Sequence, residues 1–434
     1  MDGTCRPMAL QCGVIAVLAL SVVNPLLAQT STAAGRDLTR RTTYESPRIA
    51  GLAKELELGN ADALARFWRA VDGKAPIVEP STDDDRYCLV TFIWRGSTTT
   101  RKVGVLGDLP YKDQSKWYMD RLRDSDLWFK TERMPKDARF GYLLNENDTG
   151  YREDPLNPRV WGGRSVAELP DAPDEPWIRP IAGVPEGKVI QETTRSSTLA
   201  EDREFSVYLP AHYDPVKNGY YLLIVFDGES YNRGSAIPTP TILDNLLYKL
   251  KVPPTVAVLV NSQKTRDRDL LCSASFEKFV TTELVPLVRQ KYRTTHDPTR
   301  TIVAGSSYGG LAAACLALRH ADVVGNVLSQ SGSFRYDPNG SAGEDAEYYE
   351  RSGWLTRQFV MAPRLPLRFF LQVGRFEGLS PATRHLRDVL EAKGYQVAFA
   401  EYSGNHDALS WRDSLAEGLI ALIGDQRFEQ PVAP

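Results

Sequence analysis

One stretch constrains the fold of this chain more than any other: Thr301-Ile302-Val303-Ala304-Gly305-Ser306-Ser307-Tyr308-Gly309-Gly310. Residues 301–304 form an apolar run that reads as a buried strand. Residues 311–318 are rich in Ala and Leu and read as a helix. Between them lies a Gly-x-Ser-x-Gly turn centred on Ser307. A reversal this sharp strains the backbone and leaves little room for side chains on either flank. Gly305 and Gly309 meet that need. The strain pushes the Ser307 hydroxyl out over the sheet edge. There it faces the N-terminal end of the helix, whose dipole favours negative charge. Ser306 stands one place too early for this geometry. Such a pentapeptide also occurs by chance, and the flanking strand and helix give it meaning.

A serine on a strand-to-helix turn is the nucleophile elbow of an α/β-hydrolase, and the second half of the chain fits that class. Residues 220–226, 255–260, 301–304, 325–329 and 367–373 are largely apolar runs, as expected of parallel strands covered on both faces. Helical patterns fall at about 274–292, 309–319, 381–393 and 409–423. Residues 189–194 and 203–209 read as two strands forming an antiparallel edge. The predicted fold class is therefore α/β, a doubly wound hydrolase sheet over residues 188–425. Before it, residues 48–72 show helical periodicity divided by Gly51 and Gly59. Short strands follow at 87–94, 101–106, 127–132 and 139–144, separated by turn residues. They predict a small Ig-like β-sandwich domain over 49–158. The Pro, Asp and Gly of 159–187 read as a linker, and the Ser/Thr-rich 29–48 as a tether.

The first 28 residues have a different character. Residues 13–23 are apolar and uncharged, Asp2 and Arg6 precede them, and Leu26-Leu27-Ala28 offers a small residue before Gln29. That is the layout of a secretory signal peptide, too short for a membrane span. It predicts a periplasmic or secreted protein with no stable membrane insertion. The net charge of −3 over 434 residues gives no general affinity for nucleic acid or an anionic surface. Of the five cysteines, Cys5 and Cys12 fall in the predicted signal peptide. Cys88, Cys272 and Cys315 remain without CxxC spacing. One disulfide is permitted and no pair is specified. Cys315, inside the helix after the elbow, reads as a small buried apolar residue. The five histidines are too scattered for a metal site, and no cofactor is expected.

An elbow serine needs a base, an orienting acid and an oxyanion hole, in the chain order nucleophile, acid, histidine. His212 and His296 precede the elbow, and His320 and His385 lie on or beside helices. His406 alone sits in a loop after the last predicted strand, 396–402. The acid belongs after strand 367–373, where Glu377 stands. Asp388, inside a helix, and Asp407, next to the base, are its competitors. The oxyanion amides are expected from Tyr308, after the nucleophile, and from Gly228 and Glu229, in the loop after 220–226.

These motifs together resemble the enterochelin (enterobactin) esterases of the esterase D group. The resemblance rests on the elbow with Gly310, on Val327-Leu328-Ser329-Gln330-Ser331-Gly332-Ser333 and on Phe226-Asp227-Gly228-Glu229. It includes Arg266-Asp267-Arg268-Asp269-Leu270 and Gly404-Asn405-His406-Asp407-Ala408-Leu409-Ser410-Trp411-Arg412. In the first half it runs through Phe67-Trp68, Ala75-Pro76-Ile77-Val78-Glu79-Pro80, Val90-Thr91-Phe92-Ile93-Trp94-Arg95 and Asp154-Pro155-Leu156-Asn157-Pro158. About residues 60–425 are covered. The resemblance implies hydrolysis of the triserine lactone of a catecholate siderophore, or of its linear fragments, with Ser307 as nucleophile, His406 as base and Glu377 as acid. A ferric catecholate is an anionic partner, so Arg266 and Arg412 become candidate substrate cations. Trp411 either stacks on a catechol ring or packs under the loop. Two features depart from the family: Gly-Asn-His-Asp replaces the usual Gly-Gly-His-Asp, and a signal peptide precedes the domains. A feruloyl or acetyl esterase of carbohydrates, with the sandwich as a glycan-binding module, would use the same triad. A binding protein on an inactive hydrolase fold is the third reading.

Overall fold

A computed structural model of the chain describes residues 44–107, 117–339 and 353–424. The predicted signal peptide and most of the predicted tether lie outside the described residues. Ser46 caps the first helix, α1 (Pro47–Glu57), by accepting from the Ile49 amide at 3.2 Å. Gly51, expected to divide this segment, lies inside α1 facing open space. A second helix, α2 (Ala63–Val71), buries Phe67, Trp68 and Val71.

Eight strands follow: β1 (Ile77–Pro80), β2 (Tyr87–Arg95), β3 (Val103–Gly107), β4 (Asp120–Arg121), β5 (Leu127–Pro135), β6 (Arg139–Glu146), β7 (Val160–Trp161) and β8 (Arg164–Glu168). They make two antiparallel sheets, β1-β2-β5-β4 and β3-β6-β8-β7. The apolar run of β2 has a physical reason. Val90, Phe92 and Trp94 face the second sheet, while Ile93 faces the α1–α2 pair. Both sides are covered, so alternation disappears. The sandwich does not stop at 158 as expected. β8 pairs with β6, Phe140 opposite Ala167, and buries Ser165, Val166 and Ala167. Five residues inside a Pro- and Gly-rich stretch carry too little pattern to be read as a strand.

The second sheet system has β9 (Lys188–Ser196), β10 (Glu201–Leu209), β11 (Tyr221–Phe226), β12 (Thr255–Val260), β13 (Thr301–Ser306), β14 (Asn326–Gln330), β15 (Arg368–Gly374) and β16 (Gln396–Tyr402). Their order is β16-β15-β14-β13-β11-β12-β10-β9. β11 to β16 are parallel, and β10 runs antiparallel to both β12 and β9. The helices are α3 (Thr239–Tyr248), α4 (Arg266–Leu270), α5 (Ala274–Phe279), α6 (Val285–Tyr292), α7 (Tyr308–Arg319), α8 (Trp354–Met361), α9 (Ser380–Ala392) and α10 (Ala408–Ile423). They cover both faces. Leu222, Ile224 and Phe226 of β11 join the cluster with α5, α7, α8 and α9, and Leu223 and Val225 join the one with α3 and α10. The period-2 geometry of a strand thus builds two cores from one apolar run. The predicted helix 274–292 is interrupted by a π turn (Val280–Leu284). Pro286, near the start of α6, lacks the amide that a continuous α-ladder would need.

Candidate active site

Every strand from β11 to β16 ends on the same edge of the sheet, and the loops leaving that edge carry the chemistry. Ser307 follows β13 and precedes α7 with φ 56° and ψ −120°, a conformation side chains rarely adopt. Neighbours enforce it. The Ser307 amide donates to Gln330 O at 2.9 Å, and the Ser333 amide donates to Ser307 O at 3.0 Å. Glycine is obligatory at 305, where a Cβ would meet the carbonyl carbon of Gly309 at 2.6 Å. The Tyr308 amide is the first of α7 and has no intrahelical acceptor, as at any helix start.

Glu377 follows β15 and is buried at 6% exposure. Its Oε1 accepts from the Gly374 amide at 2.5 Å and from Ser331 Oγ at 2.6 Å. Its Oε2 accepts from Nδ1 of His406, which follows β16, at 2.6 Å. A carboxylate only accepts, so Nδ1 carries the hydrogen, and in the neutral imidazole Nε2 keeps a lone pair. Trp411 meets the His406 ring edge-on, centroids 4.9 Å apart, and donates from Nε1 to Ser331 Oγ at 2.9 Å. The Tyr402 hydroxyl donates to Asn405 O at 3.0 Å. Burial, then the Glu377 charge, push its pKa well above the ordinary phenol range.

Ser307, Glu377 and His406 line one open cleft of about 410 Å³ with Tyr308, Ser333, Arg335, Tyr336, Gly378, Leu379 and Asn405. The Ser307 hydroxyl stands 3.4 Å from Ser333 Oγ and makes no hydrogen bond to His406 in this conformation. The competitors for the acid have other work. Asp407 caps α10 by accepting from the Ser410 amide at 3.1 Å, and Asp388 is bound to Arg387.

The other expected site residues lie elsewhere. Gly228 and Glu229 form a 3-10 turn after β11, outside the residues lining the cleft. Gly228 is pressed against Leu259, where a Cβ would come within 2.4 Å of backbone, and Glu229 Oε2 accepts from the Ser262 amide at 3.0 Å. Asp227, one residue earlier, abuts the elbow: a Cβ on Gly309 would lie 3.3 Å from its Oδ2. Arg266 is outside the residues lining the cleft. It makes a two-pronged ion pair with Asp227, 2.7 Å on each prong, with its guanidinium over the Tyr308 ring. Arg412 is buried at the domain junction, with two 2.5 Å contacts to Glu175. Its charge is neutralised there. Trp411 supports the histidine loop. Among the described residues, Arg335 is a cation that lines the cleft, and it was not among the expected site residues. It lies in the loop after β14, two residues beyond Ser333. Cys315 is buried as expected but joined to Cys272. Cys88 is a free buried thiol whose pKa burial pushes up to about 11.

A strained serine at a sheet edge, with a carboxylate-bound histidine on the same cleft, defines an α/β-hydrolase of the esterase kind. Comparison with known proteins makes this narrower. The family described as "Putative esterase" matches residues 196–422, and "Enterochelin esterase, N-terminal" matches 89–150. The iron(III) enterobactin esterase of Escherichia coli K12 is 32% identical over 381 residues, 78% of this chain and 92% of the relative. The iron(III) salmochelin esterase of E. coli O6:H1 is 26% identical over 410 residues, 87% of this chain and 98% of the relative. The crystal structure of the ferric enterobactin esterase of Salmonella typhimurium superposes with a TM-score of 0.68 at 26% identity, covering 82% of this chain and 98% of that one. This chain belongs to the enterochelin esterase family.

Proposed function

We propose that this protein is a serine esterase that hydrolyses the ester bonds of a catecholate siderophore such as enterobactin in its iron(III) form, and so promotes iron release. One observation carries the reading: a buried carboxylate holds Nδ1 of His406 at 2.6 Å on the cleft that also exposes the strained Ser307. The reading requires the Ser307 hydroxyl to swing from Ser333 to His406 Nε2. His406 then takes the Ser307 proton as Oγ bonds to the ester carbonyl carbon. In this reading the Tyr308 amide, the first of α7, holds the oxyanion. His406 returns the proton to the departing serine hydroxyl of the lactone, leaving an acyl-enzyme. Water repeats the cycle and frees Ser307. Arg335 and Tyr336 supply a cation and an aromatic face suited to an anionic, aryl-rich substrate.

The same reading puts the protein in the periplasm or outside the cell. Residues 1–28 have the order of a secretory signal peptide, and an oxidising compartment sustains a Cys272–Cys315 bond. The experiment that tests the function is chromatography of the products from iron(III) and iron-free enterobactin. The native chain should yield linear trimer, then shorter fragments. Ser307→Ala should melt like the native chain and lose activity by about 10³ or more. Undiminished cleavage by Ser307→Ala would overturn the mechanism. Cleavage of a feruloylated sugar in preference to enterobactin would overturn the substrate.

A further inference from the structure

The acid and the base of the cleft stand on two separate loops, 375–379 after β15 and 403–407 after β16. Loops are the mobile parts of a fold, yet a 2.6 Å Glu377–His406 bond tolerates little drift. Two main-chain bonds tie the loops directly: the Arg375 amide donates to Tyr402 O at 2.9 Å, and the Phe376 amide to Gly404 O at 3.2 Å. The third tie comes from the other domain. Asp137 sits in the β5–β6 turn of the sandwich. Its Oδ1 accepts from Ser403 Oγ at 2.6 Å, and its Oδ2 lies 3.2 Å from Arg375 Nη1. Arg375 Nη1 in turn donates to Ser403 Oγ at 2.8 Å. One carboxylate thus closes a triangle across both loops, two residues from Glu377 on one side and three from His406 on the other. Phe376, adjacent to the acid, packs against the core of the sandwich. A domain that served only to bind a glycan or a partner has no need of contacts at these two places.

We infer that Asp137 is a positioning residue for catalysis, through which the N-terminal domain fixes the spacing of Glu377 and His406. The inference rests on the proposed esterase mechanism. It does not depend on which ester is the substrate. Without Asp137 the two loops drift, the carboxylate holds the imidazolium less tightly, and turnover falls.

The test uses the full chain and a small neutral ester, p-nitrophenyl acetate, beside iron(III) enterobactin. Asp137→Ala should lower kcat about tenfold on both esters with KM for the small ester nearly constant. The pKa on the acid limb of its pH–rate profile should drop. Asp137→Asn keeps an acceptor for Ser403 and should recover most of both. Ser403→Ala, which removes one prong from the other side, should show a smaller loss in the same direction. It also covers the case in which Asp137→Ala does not fold. Unchanged kcat and acid limb in folded Asp137→Ala, or in folded Ser403→Ala where Asp137→Ala fails to fold, would overturn the inference. So would a fall in melting temperature alone. If Ser307→Ala retains full activity on both esters, the esterase mechanism itself fails, and that result is separate from these.

Discussion

Ser307 holds a backbone conformation that costs on the order of 1–3 kcal/mol, and its neighbours are arranged to maintain it. The same economy governs Glu377. Gly374, Ser331 and His406 donate to its buried carboxylate at 2.6 Å or less, and the Tyr402 hydroxyl stands 3.4 Å away. The histidine is the one whose ring the carboxylate orients. Glu377→Gln keeps the shape but presents an amide in place of an acceptor-only group, so the imidazole loses its fixed tautomer. The expected loss in kcat is on the order of 10⁴, by analogy with the amide variant of a catalytic triad acid, checked by steady-state hydrolysis of p-nitrophenyl acetate. A loss below about tenfold would remove Glu377 from the role of acid. Ser307, Glu377 and His406 were legible in the sequence because each must follow a particular strand in a particular chain order. Arg335 was not legible. It stands in a loop with no periodicity, and only the fold shows which loop borders the cleft. The ion pairs of Arg266 with Asp227 and of Arg412 with Glu175 were not legible either, because a sequence shows a cation without its carboxylate.

At the scale of elements, the loop between α4 and α5 is tied to the elbow helix. Cys272 is joined to Cys315 of α7, with a sequence separation of 43 and Cα atoms 5.5 Å apart. Chain entropy assigns a closed loop of this length about 4 kcal/mol, an upper bound for a bond that leaves the native state unchanged. The Cys272→Ala, Cys315→Ala double variant should therefore melt several degrees lower, in calorimetry without reductant. Adding dithiothreitol should lower the native protein to a similar temperature and leave the variant unmoved. A native melt indifferent to reductant after proven reduction would show that the bond stabilises nothing. The sequence permitted such a pair without choosing it, because pairing depends on distance across the fold and not on spacing along the chain.

For the molecule as a whole, the junction between sandwich and hydrolase sheet is charged. A cavity of about 80 Å³ there is lined by Asp137, Arg139, Glu175, Tyr402, Asp413 and Glu417, among others. Burial, then the charges of Glu417 and Glu175, push the Asp413 carboxyl up to about 7, against the opposing pull of Arg139 and Arg412. Its Oδ1 is buried with no hydrogen-bond partner. Between about pH 4 and pH 7 the folded chain keeps a proton that the unfolded chain releases, so this group makes stability fall as pH rises through that window. Asp413→Asn should flatten that slope and raise the urea midpoint at pH 7.5 relative to the native chain, with little difference at pH 4. Parallel pH profiles of the two midpoints would show that Asp413 is not the group responsible. By itself the sequence determined the two-domain order, nearly every strand of the parallel sheet and the three residues of the proposed triad. Those properties are written in local runs and in their order along the chain. The tertiary structure alone decided that Arg335 borders the cleft, which cysteines join, where the sandwich ends and that Asp137 bridges the acid and base loops. Each of these depends on residues brought together from distant parts of the chain, and no local pattern records a distance through space.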